Sequence, residues 1–200
     1  MFIDRRHPRA HNVSYDVRLL AVPWAILAEW PLNMPTDNIS SADPESAVAR
    51  FRAVSTAATS VEALLLPNWD DDDWKQLFRF TSTRRVPAGE ALIRRGEPGR
   101  TLYFVLHGQL EVIAHSGDGL SLGRMAVVSA GSVLGEQAFF DARPRSAGAW
   151  AVDDCEVAAM SPDQYAAFEE SSPARARDLL FALGRILAMR LRRTTAKVVG

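Results

Sequence analysis

A chain of 200 residues with a single cysteine, Cys155, has no internal disulfide and suits a reducing compartment. An excess of either charge is also missing. The 23 Lys and Arg stand against 24 Asp and Glu, for a net charge of −1, so bulk electrostatics give no reason for the whole chain to seek nucleic acid. Long apolar runs are absent as well. The longest, Leu19 to Leu32, is broken by Pro23, Glu29 and Pro31, too short and interrupted to span a bilayer, and it lacks the small-residue cleavage site of a signal peptide. No internal repeat is visible. These absences lead us to expect a soluble, cytoplasmic protein. What is there, at 48% hydrophobic content, is enough for one core and an appendage.

The N-terminal part, residues 1–43, is the least regular. Arg5, Arg6, His7, Arg9 and His11 open it, the apolar patch with Trp24 and Trp30 follows, and Asn33 to Asp43 has the Pro, Asn, Ser and Asp content of a linker. It is a candidate docking arm for a protein partner. His7 and His11 have the spacing of a helical metal pair, but Pro8 lies between them and no third ligand is near, so no metal site is expected. Ser40, Ser41 and Asp43 ahead of Pro44 signal a helix start. Ala47, Phe51, Val54, Ala58, Val61 and Leu65 then form one apolar stripe, predicting an amphipathic helix over 44–66 that Pro67 stops. Packing on its own domain and pairing with a second subunit suit that stripe equally. A shorter helix is expected from Asn68 or Trp69 to about Phe80. Asp70 to Asp73 at its start complement the helix dipole rather than form a metal site.

From Arg84 to Met160 the texture changes to short apolar segments between glycine turns. The segments are Ala91–Ile93, Leu102–Leu106, Leu110–Ile113, Leu120–Leu122, Met125–Val128, Ala147–Val152 and Glu156–Met160. Many short strands at this spacing predict an antiparallel sandwich or jelly roll. Its one helical interruption is Gly135 to Phe140, and a ligand would sit inside against it. After Met160 the pattern is helical again. Ser161-Pro162-Asp163 starts one helix, and Pro173 starts a second that runs to about Arg193. Leu179, Leu180, Leu183, Ile186, Leu187 and Leu191 cover more than one face of that second helix, which predicts burial on two sides. The fold class is therefore α+β: an antiparallel jelly roll over 67–200 with flanking helices and a long C-terminal helix, preceded by a mostly helical extension.

Chemistry concentrates at the helical interruption. Gly135-Glu136-Gln137-Ala138 opens a short helix, and Glu136 lies nine residues before Arg145-Ser146. Backbone N–H groups at a helix start attract an anion, and glycine lets a ligand approach the backbone. An arginine offers a planar fork of donors that matches phosphate oxygens. A carboxylate beside them is unsuited to a phosphate but accepts hydrogen bonds from ribose hydroxyls. Taken singly, Arg145 reads equally well as a surface residue of a Pro-Arg turn, and Glu136 as a helix-start carboxylate. Their joint spacing inside this strand pattern favours a ligand that carries both a phosphate and a sugar hydroxyl.

Three linked segments resemble the cyclic-nucleotide-binding domain family, of the catabolite activator and protein kinase A regulatory type, over residues 66–193. They are Val86–Ile93 with Arg95-Gly96-Glu97-Pro98-Gly99, then Leu102–Gly108 running into Leu110-Glu111-Val112, and last Gly131–Ala147. The resemblance implies a cyclic nucleotide, cAMP or cGMP, as ligand, and no metal. Glu136 matches the glutamate that binds the ribose 2′-hydroxyl, and Arg145 matches the arginine that pairs with the cyclic phosphate. Ser146 occupies a position able to add a phosphate contact, while Gly135, Gln137 and Ala138 complete the cassette. Leu134 departs mildly from an aromatic or isoleucine, and Ser132 stands where aspartate is frequent, a matter of a turn rather than of the ligand.

The expected role is a non-enzymatic regulatory module that senses the nucleotide and relays a conformational change. The recipient is a protein partner or a second copy of the chain, paired through helix 173–193 or helix 44–66. Only seven residues, Thr194 to Gly200, follow the expected C-terminal helix, so direct DNA binding is not expected. A metal-dependent cupin on a similar roll needs a His-x-His pair, whereas His107 and His115 stand alone. Cys155 reads as a core thiol. The other reading is an assembly scaffold whose pocket no longer binds nucleotide.

Overall fold

Eight strands form where glycine turns separate the alternating segments. They are β1 (Ser82–Val86), β2 (Ala91–Ile93), β3 (Leu102–His107), β4 (Gln109–His115), β5 (Leu122–Ser129), β6 (Val133–Leu134), β7 (Gly148–Ala151) and β8 (Cys155–Met160). The computed structural model describes residues 63–115 and 122–199, together with Ala49 and Phe51. The strands make two four-stranded sheets, ordered β1-β8-β3-β6 and β2-β7-β4-β5, with every pairing antiparallel. Four helices flank them: α1 (Asp71–Arg79), α2 (Glu136–Asp141), α3 (Pro162–Ser171) and α4 (Pro173–Val199).

The first sheet is buried on both sides, and the alternation along β3 shows how. Leu102, Phe104 and Leu106 face the helices, where they join Trp74, Leu77, Phe139, Phe168, Leu179, Leu183 and Ile186. Tyr103 and Val105 face the other way and meet Leu92, Ile93, Leu110, Val128, Ala149 and Ala151 of the second sheet. Side chains two apart share a face of a strand, so one central strand supplies both cores. Along β4, Leu110 is fully buried while Val112 is only partly so.

Local signals set the helix starts. Asp70 caps α1 by accepting from the Asp73 backbone N–H at 3.0 Å, and Asp73 returns the bond to the Asp70 N–H at 3.1 Å. The Asp73 N–H also holds the Asp70 carboxyl below its ordinary pKa. Ser161 caps α3 in the same reciprocal way with Gln164, and Pro162 takes the first helical position. Asp73 is tied to α4 as well, through the Arg175 guanidinium at 2.7 Å.

Several expectations change in detail. The sheet gains β1 and β6, the expected segment Met125–Val128 lies within a longer strand over Leu122–Ser129, and α4 extends six residues past Arg193, while Leu120 and Ser121 of the expected segment Leu120–Leu122 lie outside the described residues. Of the helix expected over 44–66, Ala49 and Phe51 are helical and the residues between them and Ala63 lie outside the described ones. The helix does not reach Leu66. Ala63 bridges Ser132 in antiparallel fashion, and its neighbour Leu64 donates to Gly131 O at 3.0 Å, which commits this stretch to an extended path along the β5–β6 turn. Leu65, expected in the apolar stripe, is therefore exposed while Leu64 is buried. The chain divides into two compact units, Met1–Thr36 and Asp37–Gly200. The basic start, the Leu19–Leu32 patch and the His7/His11 pair lie outside the described residues. Among the described residues, no helix is long and apolar enough to cross a membrane.

Phe51 is fully buried, with ring centroids 5.1 Å from Trp74, 5.7 Å from Phe78 and 6.2 Å from Phe104. Emptying such an aromatic site costs about 3–5 kcal/mol. Phe51→Ala is expected to lower unfolding free energy by that amount in urea titrations. A loss below about 1 kcal/mol, within the range of an ordinary surface substitution, would show that Phe51 is not part of this core.

Candidate functional site

The segment Gly135–Ser146 lies against β3 and α4. Gly135 is the N-cap of α2 with φ +85°, the left-handed region that favours glycine. Space makes the same demand, because a Cβ there would meet Arg145 Nη1 at 2.5 Å and Thr101 O at 2.6 Å. The glycine therefore clears room for the guanidinium of Arg145. Arg145 is 5% exposed, and Glu136, the first residue of α2, is 4% exposed. Two opposite charges are thus buried in one short segment, each with its own partners.

Arg145 rests on carbonyl oxygens. Its Nη1 donates to Gly135 O at 3.2 Å and its Nη2 to Thr101 O at 2.8 Å. Its Nε is buried without a hydrogen-bond partner. Its own backbone is pinned, with Arg145 N donating to Glu97 O at 3.0 Å and Arg145 O accepting from Gly96 N at 2.8 Å. The Gly96–Gly99 turn thus clamps the arginine in place. Among the described residues no carboxylate pairs with it, so its charge meets only dipoles. Buried donors without partners are rare in folded proteins, and here the orphan sits on a cation.

Glu136 is held from the C-terminal helix. Arg190 of α4 donates through Nη1 to Glu136 Oε1 at 2.6 Å and through Nη2 to Val133 O at 2.9 Å. A contact spanning 54 positions leaves no local signal in the sequence. Ser146 donates its hydroxyl to Gln137 Oε1, and both residues are exposed. Ala138 is buried beneath the segment. The six residues singled out in the sequence thus lie in one segment, with Glu136 and Arg145 at its core, Gln137 and Ser146 at its surface, and Arg190 added.

The remaining reactive groups lie elsewhere. Cys155 is buried, its thiol directed at Gln109 O at 3.1 Å and Asp153 O at 3.2 Å. Burial, with the nearby Asp153 charge, pushes its pKa up to about 11. His107 is exposed and lies 3.3 Å from Asp154 O. Among the described residues no group of three or more His, Cys, Asp or Glu is arranged to hold a metal ion.

Residues 83–172 match the family model of the cyclic nucleotide-binding domain. The cAMP-activated global transcriptional regulator Vfr of Pseudomonas aeruginosa is 34% identical over 127 residues, which cover 62% of this chain and 57% of that protein. Glutaminase 2 of Bradyrhizobium diazoefficiens is 29% identical over 157 residues, 77% of this chain but 24% of that protein. The chain thus spans from about a quarter to just over half the length of these relatives. A solved cyclic nucleotide-binding domain from Methylobacillus flagellatus covers 80% of this chain and 86% of its own, with a TM-score of 0.68 and 21% identity. It shares the fold.

Two measurements check this geometry. Removing one member of a largely buried ion pair leaves the other charge unpaired, a cost of about 3–5 kcal/mol when burial is complete. Arg190 is 22% exposed, so Arg190→Ala is expected to cost about 1–3 kcal/mol, with Glu136→Gln in the same chain recovering at least half. A single-variant loss under about 0.5 kcal/mol, the scale of a surface pair, would contradict the pairing. With its pKa near 11, Cys155 holds about a hundredth of the thiolate of an ordinary cysteine at pH 8. Iodoacetamide should therefore label it about 100-fold more slowly in native than in urea-unfolded protein, and equal rates would contradict the burial.

Proposed function

We propose that the chain, whose residues 83–172 match the cyclic nucleotide-binding domain model, is a regulatory module sensing cAMP or cGMP through Glu136 and Arg145. The observation that carries this reading is the Arg145 guanidinium, buried without a carboxylate and with its Nε unpartnered. A cyclic phosphate supplies both the missing acceptor and the missing counter-charge. Glu136, at the other end of the segment, accepts from a ribose hydroxyl. Gly135 makes the room that the Arg145 guanidinium occupies, and the exposed Ser146 hydroxyl, which donates to Gln137, is available to turn to a phosphate. Vfr bears a cAMP-activated name, which makes cAMP the first ligand to test. The overlap with Glutaminase 2 covers only 24% of that protein, which supports a shared module rather than shared catalysis. A cytoplasmic location belongs to the same reading.

The relay runs through Arg190. A ribose hydroxyl that bonds Glu136 changes the surroundings of the carboxylate that α4 grips, so ligand and helix position become coupled. The coupling is only as large as the difference in ligand affinity between the two helix positions. A second copy of the chain is the natural recipient. Phe181, Gly184, Ala188, Leu191 and Thr195 recur at steps of three and four on the outward side of α4, a heptad seam. Phe181 is 74% and Leu191 68% exposed. On one flank of that seam stand Arg185 and Arg192, on the other Leu180, Leu187 and Thr194. An antiparallel pair would set arginine flank against arginine flank, whereas a parallel pair sets arginine beside leucine, so parallel pairing is favoured. Pairing through helix 44–66 concerns residues mostly outside the described ones, as does a protein partner for 1–43.

The scaffold reading also has an observation behind it, since Arg190 already satisfies Glu136 without ligand. Thermal melts separate the two readings. A ligand that binds only native protein raises Tm with concentration, by RT ln(1 + [L]/Kd) in free energy. The sensing reading predicts a rising Tm with cAMP or cGMP, and the scaffold reading predicts none. A charge-assisted bond contributes about 1.5–3 kcal/mol, so Arg145→Ala is expected to weaken binding at least about tenfold in calorimetry. Unchanged affinity in that variant would remove Arg145 from the site.

A further inference from the structure

Arg145 has a further neighbour that its hydrogen bonds do not reveal. Its guanidinium carbon lies 5.7 Å from the centroid of the Tyr103 ring, over the face. Tyr103 sits on the central strand β3, paired with Ala159 of β8 on one side and Leu134 of β6 on the other. Leu134 immediately precedes Gly135 and Glu136, so Tyr103 lies beside the start of the binding segment on a rigid part of the sheet. It is half-buried, packed against the inter-sheet core on one side. We infer that Tyr103 is a positioning residue for the phosphate-binding arginine, holding the guanidinium by its ring face without neutralising it. This rests on the reading of the pocket given above.

The electrostatics explain why a ring serves here. A buried arginine needs an electron-rich neighbour, and the usual one is a carboxylate. A carboxylate beside Arg145 would repel the incoming phosphate and compete with it for the same donors. Carbonyl oxygens from Gly135 and Thr101 and the quadrupole of an aromatic face attract the cation while carrying no net charge. Each carbonyl takes one N–H of an Nη group, so the guanidinium keeps donors, Nε–H among them, that no protein acceptor fills. The ring covers a face of the guanidinium plane and limits its swing, so the group is held in place before a ligand arrives. Pre-organisation of that kind appears in affinity rather than in fold.

The test compares Tyr103→Phe, which keeps the face, with Tyr103→Leu and Tyr103→Met, which remove it. Each is measured by displacement of a fluorescent cyclic nucleotide with cAMP and cGMP, and with adenosine and guanosine, which lack the phosphate. Cation–π contacts are modest. The ring-less variants are expected to lose about threefold to tenfold in affinity for the cyclic nucleotides, and less than about twofold for the nucleosides. Tyr103→Phe should stay within about twofold of wild type throughout. In an Arg145→Ala background, Tyr103→Leu should have no further effect on cyclic-nucleotide affinity. Equal losses for nucleosides and cyclic nucleotides, as a purely structural role requires, would overturn the inference, and so would unchanged binding in folded Leu or Met variants. If wild-type protein binds no cyclic nucleotide, the pocket reading falls and this inference falls with it.

Discussion

The structure depends on satisfying two opposite charges buried within one ten-residue segment. Isolated charges are among the costliest groups to remove from water, and Glu136 and Arg145 are each about 95% buried. Their needs are met in different ways. Glu136 takes a full counter-charge from Arg190, which requires α4 to run past the segment and present an arginine there. Arg145 takes carbonyl oxygens and a ring face, which requires Gly135 to lack a side chain, the Gly96–Gly99 turn to close over it, and β3 to place Tyr103 beneath. One charge is neutralised within the protein, and the other is solvated without being neutralised.

That asymmetry links fold to proposed function. An arginine kept charged and short of one acceptor suits an anion. A carboxylate held from a separate helix suits a relay. The two-faced sheet gives both a rigid floor. β3 sends Leu102, Phe104 and Leu106 into the helical core and Tyr103 into the inter-sheet core, so the floor of the segment and the anchor of α4 are one strand. A displacement of α4 against that floor has few ways to be absorbed in a close-packed core.

Much of this was legible from residues alone, for identifiable reasons. Pro162 and Pro173 announced α3 and α4 through their backbone restrictions, and the alternating segments announced the strands through period-two burial. The cassette was legible because Gly135, Glu136, Arg145 and Ser146 lie close in sequence. Contacts over long separations were not. Arg190 meets Glu136 across 54 positions, and Tyr103 meets Arg145 across 42, while neither pair leaves a periodic trace. The two-residue β6 is too short to carry a pattern, and β1 hides because Arg84-Arg85 interrupts its apolar alternation. The stripe ending at Leu65 misled because a helical period continued by coincidence into Ala63–Leu66, where a bridge to Ser132 takes over.

The central claim is that a cyclic phosphate completes the coordination of Arg145. Its Nε–H is a buried donor without a protein acceptor, so its proton and nitrogen resonances report directly on an arriving acceptor. In a 15N-detected guanidinium titration with cAMP and cGMP, the account predicts one Nε–Hε signal, absent in Arg145→Lys, that moves strongly downfield and slows in solvent exchange as ligand saturates. An Arg145 signal that keeps its shift and exchange rate at saturating ligand would contradict it.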